Sequence, residues 1–346
     1  MPRTWDKRAL VRVIIAVLAA AGVILLPFIL QDRYLLRIFT LVGINVIMVV
    51  GLSLVFGYAG QISLGHAAFY GLGAYTSGYL AKTGVAWPLA LVAGMAVAAL
   101  GGLLLALPSL RLKGHYLAMA TLGFGEIMLF FFSEGDPITG GTNGLRQIPP
   151  ASIGPFTADT PASKYILVWA IACVVLLLAG NLVRRRPGRA LRAIHGSEIG
   201  AQACGVDTVR MKVQVFVLSA ALGGLAGVLY AHYVGFVSPS TFSITLSIGL
   251  VAMVALGGMG SLAGAVAGTV LLTLLPYADA IIPGLSRQAV ETLQSWETDI
   301  YGIVLILVML FMPKGLAGFA RGLAATRSRR TGGRAAGEPS REGASA

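Results

Sequence analysis

The sequence predicts an all-α polytopic membrane protein, on three observations. Of its 346 residues 56% are hydrophobic and only 12% charged, and the mean hydropathy of +0.81 is more apolar than a soluble domain of this length sustains. Apolar windows of about 20 residues recur along almost the whole chain, the length that crosses a hydrocarbon core about 30 Å thick at 1.5 Å rise per residue. Lysine and arginine gather on alternate connections, as they do when one face of a membrane is the cytoplasm.

About ten transmembrane helices are expected, some short or broken, starting near Ala9, Leu35, Gln61, Ala86, Lys113, Lys164, Lys212, Phe242, Gly260 and Asp299. The first follows a charged start, residues 1–8. Its apolar part, Val13 to Leu30, is too long for a secretory signal and lacks a small-residue cleavage site, so it is read as a helix that stays in the membrane. The fourth and sixth windows are the cleanest, whereas the third, eighth and ninth are short or interrupted by glycine. The transmembrane domain is thus expected over residues 9–320, with an outer connection at 134–163 and an inner one at 184–211. The basic tail 321–346 has no apolar periodicity and is expected to be disordered.

An even number of spans with both termini inside places all but six of the 26 lysines and arginines on the inner face. The exceptions are Arg33, Arg37, Lys82, Arg146, Lys164 and Arg287, and acidic residues such as Glu134, Asp136 and Asp159 lean outward. The +12 formal charge then reads as topology plus attraction to anionic headgroups, not as nucleic-acid binding. Cys173 falls in the sixth span and Cys204 in the inner connection, so no structural disulfide is expected between them.

No catalytic or metal site is expected. The chain has no GxxxxGK[ST] phosphate loop and no Gly-Lys dipeptide, and His66, His115, His195 and His232 are scattered without metal-ligand spacing. Glu126, in LGFGEIMLF, is the one ionisable residue well inside an apolar span. It is a pathway candidate, or else a carboxyl neutralised or hydrogen-bonded against a neighbouring helix.

Glycine-rich polar breaks inside membrane segments need protein or water around them, because lipid cannot satisfy exposed backbone groups. The first, Gly57 to Gly73, gathers Gln61, Ser63 and His66 among five glycines, and the second, Gly257 to Gly268, has Ser261 as its only polar side chain. Both are read as broken helices facing a pathway, with close helix packing through small residues as the competing account. The outer connection, with ITGGTNGLRQIPP, is read as a functional loop or a disordered connector.

The inner connection begins RRRPG. Leu191, Ile194, Ile199, Ala203 and Val206 then suggest short amphipathic turns, with Ser197 capping a helix that opens at Glu198 and Gly205 ending it. Such a helix serves as a handle for a soluble partner, as an interfacial anchor or as a mere connector.

Four stretches carry a specific resemblance: Asn45 to Tyr75, LKGHYLAMATLGFGEI at Leu112 to Ile127, TGGTNGL at Thr139 to Leu145, and Val217 to Phe242. Together with the inner connection they resemble the branched-chain amino acid ABC importer permease family, LivM type, over roughly residues 35 to 315. The resemblance implies the ABC importer permease fold in a bacterial inner membrane. It implies a second, LivH-like permease, two cytoplasmic ATPase subunits that hold ATP and Mg, and a periplasmic substrate-binding protein, with no cofactor in this chain. Asn45 and Asn143, within the matched stretches, join the pathway candidates. The family's coupling segment resembles Glu-Ala-Ala followed three residues later by Gly. Here the run Glu198 to Gly205 keeps both ends with the alanine pair displaced, so Glu198, Ala201 and Gly205 are the candidate coupling residues. The implied function is one half of an ATP-driven pathway for branched-chain or other hydrophobic amino acids. The alternatives are a permease for urea or short amides, or a stand-alone secondary carrier or channel.

Overall fold

The computed structural model describes residues 32–109, 112 and 114–280, with a few isolated positions beyond them. The span expected from Ala9, most of that expected from Asp299, the N-terminal residues 1–8 and the tail 321–346 lie outside the described residues. The described part is helical throughout its membrane-length segments, and six helical stretches are long and apolar enough to cross a bilayer.

Helix α1, Arg33–Leu52, opens where Asp32 Oδ1 accepts the Tyr34 N–H at 2.8 Å, filling one of the donors a helix start leaves open. It runs on as a wider π-helical stretch, Ser53–Tyr58, a form that concentrates at functional positions. Most of α1 is buried by its neighbours, so it is the central helix. Helix α2, His66–Lys82, starts five residues later than the sequence suggested, because residues 61–65 are not helical. Helices α3, Trp87–Ser109, and α4, His115–Glu134, follow. Much of α4 stays exposed.

The outer connection is ordered by pairing and not a free loop. A short helix α5, Asp136–Thr139, leads into strand β1, Leu145–Arg146, and a two-residue ladder of β2, Ser152–Ile153, with β3, Phe156–Thr157. Helix α6, Pro161–Arg184, starts from a Thr160/Ser163 capping box. On the far side lie α7, Arg186–Gly196, α8, Glu198–Ala203, and the long α9, Thr208–Val234. Strand β4, Phe236–Val237, pairs antiparallel with β1, and His232 Nδ1 donates to the Pro149 carbonyl at 2.7 Å. The all-α expectation therefore holds in the membrane and gives way at its rim, where backbone groups need a ladder. Helices α10, Ile244–Gly257, and α11, Leu262–Leu274, follow, and a 3-10 stretch, Leu275–Ala280, continues from α11.

Helices α2, α3 and α9 pack as one group, and α1 lies against α6, α9 and α11. Small residues set the spacing. A Cβ at Gly227 of α9 would strike the Tyr70 carbonyl of α2, and one at Gly73 would strike the Gly224 carbonyl. Apolar burial gives little drive between helices in lipid, so such close backbone approach supplies the dispersion contact that holds them. Polar ties add to it: Trp169 Nε1 donates to the Phe39 carbonyl at 3.0 Å, joining α6 to α1.

Candidate functional site

The first glycine break is mostly buried among the described helices. After the π-helical stretch the chain passes through Gly60, whose φ of +69° is left-handed, and residues 61–65 form an irregular, non-helical segment. Their backbone is held by side chains from other helices. Leu64 N–H donates to Thr121 Oγ1 of α4 at 3.0 Å, and Ala67 N–H donates to Ser247 Oγ of α10 at 3.1 Å. Helix α4 thus holds the segment itself and α10 the first turn of α2 that follows it, cover that lipid could not provide.

Ser63 and His66 are both buried, at 0% and 1% exposure. Ser219 Oγ of α9 reaches the Gly51 carbonyl at 2.5 Å and His66 Nε2 at 3.2 Å. A carbonyl only accepts, so the single hydroxyl proton goes to Gly51, and His66 must carry its proton on Nε2 to donate to Ser219. His66 Nδ1 then presents a lone pair. That atom, Ser63 Oγ, Gln61 Oε1 and Ser53 Oγ find no hydrogen-bond partner among the described residues, and such a concentration of unpaired polar atoms is costly in a buried site.

The second break touches the first. The Cβ position of Gly57 lies 3.0 Å from Gly260 N, and Gly258 and Gly260 have φ of +102° and +78°. Ser261 Oγ accepts the Gly264 N–H at 3.2 Å and caps α11. A Cβ at Gly257 would meet the Gly264 carbonyl, so this break serves helix packing directly.

Gln61, Ser63 and His66 therefore share one non-helical segment and the helix start after it, and Ser261 belongs to the second break, which meets the first at the Gly57–Gly260 contact. The other candidates stand apart. Asn45 Nδ2 donates to Thr273 Oγ1 at 3.1 Å, a tie between α1 and α11. Asn143 is exposed at the outer rim, where it lines a cavity of about 760 Å³ with Lys82, Asp136 and Arg146. Glu126 is left uncovered by the described residues. It is exposed on α4, whose face also presents Tyr116, Met119 and Phe130 outward, and a Cβ at Gly123 would meet nothing.

The inner connection lies directly under the first break. His195 Nδ1 sits 2.9 Å from the Cβ position of Gly60, and the Arg192 guanidinium lies over the Tyr58 ring at 6.0 Å. Leu191 and Ile194 of α7 are buried, as their spacing predicted. Ile199 is not: it is 79% exposed on α8, and Ala203 is exposed too. Helix α8 is too short to bury two sides, and Ala201 takes the inward one. Ser197 caps α8 through the Gly200 N–H at 3.1 Å, and Gly205 follows it at φ +78°. Glu198 turns inward, its Oε1 2.6 Å from Lys212 Nζ of α9.

Sequence reasoning missed Lys212, Ser219, Ser247 and Thr121 as members of the site. Only Lys212 had a visible signal, a second basic residue two positions after Arg210 at the start of a long apolar helix. The three hydroxyls are ordinary residues whose partners lie far off in sequence.

A family model described as "Branched-chain amino acid transport system / permease component" matches residues 34–313. Among similar proteins, the high-affinity branched-chain amino acid transport system permease protein LivM of Escherichia coli K12 is 34% identical over 340 residues, covering 91% of this chain and 76% of the relative. The probable branched-chain amino acid transport permease LivM of Methanocaldococcus jannaschii is 27% identical over 62% of this chain and 63% of its own. The autoinducer 2 import system permease LsrC of Escherichia coli is 26% identical over 87% and 86%. No solved structure matches the chain significantly.

Proposed function

The chain belongs to the family of branched-chain amino acid transport system permease components, and from that membership we propose that it forms half of the pathway in an ATP-driven importer of branched-chain or other hydrophobic amino acids. Its work is done with a second, LivH-like permease, two ATPase subunits that bind ATP and Mg, and a substrate-binding protein on the outer face. About ten helices span the inner membrane of a bacterium with both ends in the cytoplasm.

The observation that carries this reading is the contact between the inner connection and the intramembrane break, His195 against Gly60 and Arg192 over Tyr58. A partner that moves α7 and α8 moves the foot of the polar segment Gln61–His66. Binding of ATP would draw the two ATPases together and bias the break between two arrangements, a population shift whose size equals the difference in contacts between them. Glu198, Ala201 and Gly205 are the coupling residues. Ile199, exposed on the same short helix as Glu198 and Ala201, is placed to give the ATPase an apolar contact.

Gln61, Ser63 and His66 line the pathway in this reading. Their unpaired polar atoms supply partners to the ammonium and carboxylate of an amino acid when the segment opens. Glu126 supports a second element of it. A carboxylate at mid-span costs about 2.5–3.5 kcal/mol facing lipid by insertion scales, so the exposed face of α4 is turned toward the second permease and the space between the two. Asn45 and Ser261 hold the surrounding helices, and Asn143 sits at the outer mouth.

The test is uptake of radiolabelled leucine into proteoliposomes holding this chain, its permease partner, the ATPases and the binding protein, each omitted in turn, with and without ATP. Uptake that needs ATP and every subunit is the expected result. Uptake by this chain alone without nucleotide would make it a carrier or channel. A complex that hydrolyses ATP but moves urea or a short amide in place of leucine would move the substrate class.

A further inference from the structure

We infer that Lys212 is a positioning residue of coupling: its ammonium holds the Glu198 carboxylate so that α8 and the inner end of α9 move as one body. The inference rests on the reading of α8 as the coupling helix and goes beyond it to how the motion leaves that helix.

Helix α8 is joined to α9 through the turn Cys204–Asp207, which passes through Gly205 at φ +78°. At that end the two helices are already tied. Val206 N–H donates to the Ala201 carbonyl at 3.0 Å, Gln202 Nε2 donates to Thr208 Oγ1 at 2.8 Å, and Asp207 caps α9 through the Arg210 N–H at 3.0 Å. Glu198 is the first residue of α8, at the end away from the turn. Without a tie there, α8 could swing about Gly205 and spend a partner's push on local rotation.

The Glu198–Lys212 pair is that tie. Its separation is 2.6 Å, with the two side chains 25% and 11% exposed. An ammonium this far out of water strongly disfavours losing its counter-ion, so the joint stays closed while α8 is displaced. The residues left facing water on α8, Ile199 above all, are then the ones free to meet a partner. The same α9 carries Ser219, which bonds both Gly51 of α1 and His66 at the start of α2. A displacement of α8 therefore reaches the intramembrane break through a single continuous helix.

The test uses the complete complex in proteoliposomes, with ATP hydrolysis and leucine uptake measured together. The variants are Lys212→Met, Glu198→Gln and the exchanged pair Glu198→Lys/Lys212→Glu. Each single variant should raise the ATP hydrolysed per leucine moved about fivefold, the low end of ordinary coupling energies, and the exchanged pair should restore most of the wild-type ratio. A part that merely stabilises the fold would lower hydrolysis and uptake together and leave the ratio alone. An unchanged ratio in the single variants, or an exchanged pair no better than the worse single, would overturn the role of Lys212. The exchanged pair keeps both charges opposed, so it reports even where a single variant does not assemble. Absence of ATP-dependent uptake in the wild-type complex would instead overturn the importer reading, and this inference with it.

Discussion

Single residues in this protein act mostly through space they do not occupy or a conformation others resist. Gly227→Val would place a branched side chain against the Tyr70 carbonyl, forcing α2 from α9. The expected loss is about 1–3 kcal/mol, read as a lower unfolding midpoint in detergent with little change in the isolated helices' circular dichroism. Gly205→Pro demands φ near −65° where the chain holds +78°, and should lower uptake while membrane insertion stays normal. Ile199→Asp removes an exposed apolar contact without touching the interior, since the side chain is 79% exposed. Uptake and co-purification of the ATPases should fall together, with the melting temperature unchanged, and equal co-purification would refute its assignment as a docking contact.

At the scale of elements, the outer connection is the clearest case of long-range pairing. Arg146 sits in β1 opposite Phe236, with its guanidinium 5.7 Å from that ring, and Ile148 N–H reaches the Gly235 carbonyl at 3.0 Å. Trypsin supplied to the outer face should cut slowly after Arg146. Gly235→Val strains a residue held at φ +77° by about 1–2 kcal/mol, which should raise the cleavage rate roughly tenfold through a larger open population. An equally fast cut in the unaltered protein would mean the ladder does not form in the membrane. None of this pairing was legible in the sequence, because a two-residue strand has no periodicity to read and its partner lies beyond two membrane helices. The six described spans of membrane length were legible because transfer of some 20 apolar residues outweighs every local preference. Helix α2 began late because residues 61–65 trade helical hydrogen bonds for Thr121, and Ser247 takes the next N–H at Ala67. That Gln61, Ser63 and His66 share one polar break could be read, since they are neighbours in the chain. The Glu198–Lys212 contact could not, since a charged pair has no sequence signature until the turn at Gly205 brings its helices together.

For the whole molecule, the segregation of basic residues makes a topological claim that two cysteines can check. Cys204 is exposed beside α8 and Cys173 lies within α6. A membrane-impermeant maleimide should label Cys204 in inside-out vesicles and leave it untouched in right-side-out ones, while Cys173 resists in both. Labelling of Cys204 from the outer side would invert the orientation and with it the assignment of the handle. Helix α2 has a further consequence for the assembled membrane. Its 17 residues rise only about 25 Å at 1.5 Å each, and the remaining depth is crossed by the polar backbone of Gln61–Gly65. Lipid offers that backbone no hydrogen bonds, so the foot of α2 stays intact in a bilayer only while its protein cover, Thr121 included, stays in place.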